Sequence, residues 1–66
     1  MNEDFNMSMR KFLKQVGVTS QQAIEEAMRK AGDKSGKELT AKVVLTVDGL
    51  DLNHEVNGKI TGASDT

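Results

Sequence analysis

Apolar residues at the start of the chain fall at Phe5, Met9, Phe12, Leu13 and Val16, in steps of 4, 3, 1 and 3. That spacing draws one stripe along a helix of 3.6 residues per turn and predicts a helix over about 3–16. Asn2 is placed as its N-cap, and Glu3 and Asp4 sit at the positive end of its dipole. Gly17 stands where a left-handed residue would end it. A second start signal follows: Thr19 as N-cap and Gln22 three residues on form a capping box. Ile24, Ala27, Met28 and Ala31 then make a second stripe, so a second helix is predicted over about 20–31, closed by Gly32. Glu25–Arg29 and Glu26–Lys30 are spaced to support it as i,i+4 pairs.

After the polar connection Asp33–Lys37 the period changes to two. Leu39, Ala41, Val43, Leu45 and Val47 alternate with Thr40, Lys42, Val44 and Thr46; beyond Asp48-Gly49, Leu50, Leu52, His54 and Val56 alternate with Asp51, Asn53 and Glu55. Asp-Gly between alternating runs is a strong hairpin signal. A two-residue type I′ turn predicts strands of about 39–47 and 50–60, with Val47 opposite Leu50, Leu45 opposite Leu52 and Lys42 opposite Glu55. A four-residue loop, Asp48 to Asp51, keeps the same faces but separates that charge pair, which favours the shorter loop. Asn57-Gly58 is placed to bend or end the second strand, with Ile60 as its last anchor. The fold class expected is α+β: a two-helix hairpin followed by a two-stranded antiparallel β-hairpin, in the order α-α-β-β. A lone hairpin is marginal in water, so the two helical stripes and its apolar face are expected to cover one another. One domain over 1–62 and a flexible tail at 63–66 complete this reading.

Composition narrows the setting. Sixty-six residues allow one small domain of marginal stability. The absence of cysteine excludes disulfides and thiolate metal sites and leans towards a cytoplasmic location. No apolar run approaches the roughly 18 residues of a membrane span, and the N-terminus has no basic region of the signal-peptide kind. The net charge of −1 divides into −2 over residues 1–9, +4 over 10–37 and −3 over 38–66. A mildly basic helical half thus meets a mildly acidic remainder, which suits a solvated surface or complementary ends of a self-associating pair.

The stretches NEDFNMSMRKFLKQVGVTSQQ and LTVDGLDLNHEVNGKI resemble a family of small bacterial proteins known only as a domain of unknown function. The resemblance runs over nearly the whole chain, with the segment Gly32 to Glu38 the most divergent. It implies no activity, cofactor or partner for any residue.

Candidate chemistry is sparse. A helix-turn-helix would present Gln21, Gln22 and Arg29 to base edges. Yet Glu25 and Glu26 would face the phosphates, where affinity is built from cations, so nucleic acid is an unfavoured alternative. There is no Trp or Tyr, and both Phe residues lie on the first stripe, so no stacking platform for single strands is evident. His54, the one histidine, has no nucleophile or base at strand spacing, and an enzyme is not expected. Asp48, Asp51 and Glu55 are better explained by a turn and a solubilising face than by a cation. No cofactor, metal, membrane or small-molecule substrate is expected. What remains is a non-catalytic protein-interaction module, binding itself or another protein. The first strand carries no proline and only Lys42 as a guard. Lys42, Val44 and Thr46 are its candidate contact residues, Val44 being apolar on an otherwise polar face. Met7, off the helical stripe, is a further candidate, while Met9 and Met28 are assigned to the core.

Overall fold

The computed structural model describes residues 2–63. It contains one helix, α1 (Glu3–Ala31), and one antiparallel hairpin, β1 (Glu38–Thr46) paired with β2 (Asn53–Thr61). The α+β class is as expected, but the two-helix hairpin is not formed.

The first helix start is as read. Asn2 is extended, and its side chain accepts a hydrogen bond from the Phe5 N–H at 2.8 Å. Glu3 and Asp4 occupy the first turn, and Arg29 and Lys30 the last. The expected break at Gly17 is absent, and α1 runs through it for 29 residues. Gly17 is not among the glycines at positive φ. Thr19, expected as a cap, instead donates its hydroxyl to the Gln15 carbonyl at 2.8 Å, a back-bond inside the helix. The reason is phase. Phe5, Met9, Phe12, Leu13, Val16, Ser20, Ile24, Ala27, Met28 and Ala31 follow one another in steps of 3, 4 or 1, so both stripes are one stripe. Continuing the helix costs about 1 kcal/mol for a central glycine relative to alanine. Stopping and restarting would leave several more backbone groups without helical partners. Gly32, at φ 83°, ends the helix as expected.

The hairpin register also differs from the two-residue turn. Leu45 stands opposite His54, Val43 opposite Val56, Ala41 opposite Gly58 and Leu39 opposite Ile60. This is the register of the four-residue alternative. The Leu50 N–H bonds the Val47 carbonyl at 3.1 Å, but only Gly49 takes positive φ, at 89°. A type I′ turn needs positive φ at Asp48 as well; with Asp48 on the ordinary side, the strand ends splay. The ladder therefore begins at Thr46–Asn53, beyond a six-residue connection, Val47 to Leu52. The charge pair survives on the diagonal, with Lys42 Nζ 3.6 Å from Glu55 Oε2.

The linker is tied to the end of β2. Lys34 N–H donates to the Ala63 carbonyl at 3.0 Å, and Gly62 N–H to the Lys37 carbonyl at 2.7 Å. Asp33 caps this turn by accepting from the Ser35 N–H at 2.9 Å. Of the expected tail, Ala63 joins this clasp; Ser64 to Thr66, like Met1, lie outside the described residues.

Candidate interaction face

The helix runs back along the hairpin. Its N-terminal half, through Phe5, Met9, Phe12 and Leu13, faces Leu45, Val47, Leu50 and Leu52 across a cleft of about 340 Å³. Its C-terminal half, through Ile24, Ala27, Met28 and Ala31, faces Leu39, Ala41, Val43 and Ile60 across another of about 420 Å³. The expected pairing of apolar surfaces is thus present in direction but not in closure. No described residue is buried. Val16, Met28, Leu39, Ala41, Leu45 and Ile60 are half-buried, whereas Phe12 is 50% exposed and Val43 49%. Met9, assigned to the core from its spacing, is exposed as well.

The dimensions agree with an open structure. The chain measures 46 × 20 × 16 Å with a radius of gyration of 15.4 Å, against about 11 Å for a compact domain of this length. Its accessible surface is 5808 Å², whereas a compact monomer of 7.2 kDa exposes about 4,100 Å².

The hairpin sets Lys42, Val44 and Thr46 at alternate positions on one face of β1; Lys42 also borders the second cleft, whereas Val44 and Thr46 line neither. Val44 is 52% exposed and lies opposite Glu55. Nearby, Lys59 Nζ donates to Thr40 Oγ1 at 2.9 Å, so the outer face is laced by polar cross-strand contacts. Backbone alternation fixes which groups of β1 are free. The Lys37 carbonyl points at Gly62, and the register continues from there without a bulge. Odd-numbered residues of β1 therefore bond β2, and Thr40, Lys42, Val44 and Thr46 direct their N–H and C=O to the open edge. With two strands in the sheet, that edge has no neighbouring strand among the described residues.

The nucleic-acid candidates Gln21, Gln22 and Arg29 lie in the second half of the single helix and not at the start of a recognition helix. Arg29 pairs with Glu26 at i,i+3 and not with Glu25, and Lys30 reaches Glu26 at 3.7 Å. The hydrogen bond and positive charge of Arg29 hold the Glu26 carboxyl below its ordinary value. Asp33 is likewise lowered, first by the Ser35 backbone N–H. His54 is exposed, opposite Leu45. Among the described residues, no three of His, Asp and Glu gather as a metal site, and no helix is long and apolar enough to cross a membrane.

The apolar positions of this face were readable from their periods. Its openness was not, because periodicity gives the direction of a side chain and not the distance to what it faces. Neither a curated protein nor a solved structure matches the chain. A family model does match, over residues 1–63, and the chain belongs to that family, the family of unknown function DUF6494.

Proposed function

We propose that this protein is a non-catalytic interaction module that works by binding protein through its open apolar face and the adjoining edge of β1. The observation that supports this is the absence of any buried residue among those described, in a chain whose apolar side chains line two clefts between α1 and the hairpin. Isolated apolar residues on a surface need no explanation, but a contiguous face of this kind marks an interaction site. The two clefts are lined mainly by apolar side chains; Lys34 and Lys42 border the second, but neither cleft brings a nucleophile and a base together. The edge of β1 adds directional main-chain groups to the apolar face, as in recognition by strand addition.

The helix-turn-helix alternative loses its premise with the turn, and no contact on the helix favours it. The test is photo-crosslinking in the native cell from a benzophenone side chain placed at Phe12 or Leu45, with Met7 on the opposite side of α1 as control. Protein adducts are expected from the first two positions and not from Met7. Adducts to nucleic acid alone, or none from the apolar face, would remove this reading.

A further inference from the structure

We infer that the partner is a second copy of this chain, joined by antiparallel pairing of β1 with itself around a two-fold axis at Val44. The inference rests on the interaction-module reading and names its partner. Three observations carry it.

The first is area. The chain exposes 5808 Å², well over 1,000 Å² more than the roughly 4,100 Å² of a compact monomer of this mass. Two copies would together cover more than about 2,000 Å², the range of permanent homodimers and above that of transient contacts. The excess thus suffices for an interface with a copy of equal size, without a larger partner.

The second is the character of the strands. Each strand carries one glutamate and one lysine, but β1, ELTAKVVLT, holds five apolar residues, Val44 among them on the outer face, whereas β2, NHEVNGKIT, holds two, with two asparagines, a histidine and a glycine. β1 has the composition of a central strand and β2 that of an edge. In the single chain both are edges. Self-pairing through β1 gives the order β2-β1-β1-β2 and leaves the polar strands outside. The cleft beside the C-terminal half of α1 is floored mainly by β1, with Ile60 as the β2 contribution, so it lies beside the edge a copy would occupy.

The third is register. The free backbone groups belong to the even-numbered residues, so a self-pair must set even opposite even. An axis at Lys42 would set two ammonium groups face to face, an axis at Val43 would set Glu38 against Asp48, and an axis at Leu45, though free of like-charge pairs, would confine pairing within β1 to residues 44–46. An axis at Val44 sets Val44 against its copy, Lys42 against Thr46 and Thr40 against Asp48, with no like charges opposed. On the inner face it brings Val43 beside Leu45 and Ala41 beside Val47 of the other chain, joining the apolar floors of both grooves. A symmetric contact of this kind closes on itself and removes the edge that would invite further growth.

The test uses the full chain. Light scattering or native mass spectrometry is expected to give twice the chain mass, against 7.2 kDa for one chain. Because the protein has no cysteine, Val44→Cys should form a disulfide-linked dimer on mild oxidation, while Glu55→Cys on β2 and Met7→Cys on the helix should not. Thr46→Pro removes an N–H directed at the partner and spares those directed at β2. It is expected to halve the mass, or to unfold the chain if the pairing is obligatory; in the second case the Val44→Cys crosslink decides. A single-chain mass at all concentrations overturns the inference. So does a dimer that crosslinks through Met7→Cys or Glu55→Cys and not through Val44→Cys. A monomer whose Phe12 photoadducts are another protein would overturn self-pairing alone and leave the interaction-module reading standing.

Discussion

At the residue scale the linker clasp depends on one close approach. A Cβ built on Gly62 would collide with the Lys34 carbonyl oxygen, a backbone atom that cannot swing away. Gly62→Ala should therefore push the linker off the end of β2 and destabilise the chain by about 1–3 kcal/mol, as overpacking does; a thermal midpoint equal to that of the unaltered protein would show the clasp to be dispensable. The acid limb of stability has a residue-level origin as well. Glu26 is held below its ordinary value by Arg29 and Asp33 by the Ser35 N–H. A carboxylate whose folded pKa is depressed adds stability that is present above its unfolded value, about 4, and is lost as pH falls through the folded one. Both groups are at the surface, so the effect is small and screened by salt. Amide shifts of Arg29 to Ser35, followed from pH 7 to pH 2, should move with midpoints below the ordinary carboxylate range. Glu26→Gln should remove the component centred on the helix end.

At the scale of elements, the continuous helix makes Gly17 a diagnostic position. In a two-helix hairpin with Gly17 in the left-handed region, alanine there would be strained and costly. In α1 the glycine is helical, and nothing lies within 4 Å of an added Cβ. Gly17→Ala is expected to stabilise the protein by about 0.4–1 kcal/mol, read as a rise in thermal midpoint and in helical circular dichroism. A loss of stability would restore the hairpin. The element types were legible from the sequence because 3.6- and 2-residue periods are unambiguous over runs this long. Their junctions were less so. Gly17-Val18-Thr19 carries every local signal of a stop and a start, and those signals are outweighed by the phase of the stripe on either side, which a residue-by-residue search for caps does not weigh. At Asp48-Gly49 the favoured turn depended on a left-handed aspartate, and the chain avoided it by lengthening the loop by one pair; a shift of two residues leaves each side chain on its face. The candidate contacts Lys42, Val44 and Thr46 thus stayed on one face through the change of register, whereas Gln21, Gln22 and Arg29 lost the turn that would have presented them.

At the scale of the whole molecule, direction and closure separate. Most apolar residues of the stripe and of the inner strand face line the space between helix and hairpin, yet one 29-residue helix beside two strands leaves clefts of about 340 and 420 Å³ between them. A chain of this size has little stability to lose, so the state of its groove decides how much each side chain contributes. Phe12 tests this. In the single chain it is half exposed, and its truncation to alanine should cost well below the 3–5 kcal/mol of a fully buried phenylalanine. In a closed pair of chains the same side chain gains the apolar cover it lacks, and its removal should approach that range. Self-pairing also links folding to mass action, so the unfolding midpoint should rise with protein concentration. Phe12→Ala, measured by denaturant unfolding at concentrations a hundredfold apart, is therefore expected to lower the midpoint at both and to weaken its dependence on concentration. A midpoint independent of concentration in the unaltered chain, with a small Phe12→Ala penalty throughout, would mean that the groove stays open and that the molecule folds alone around it.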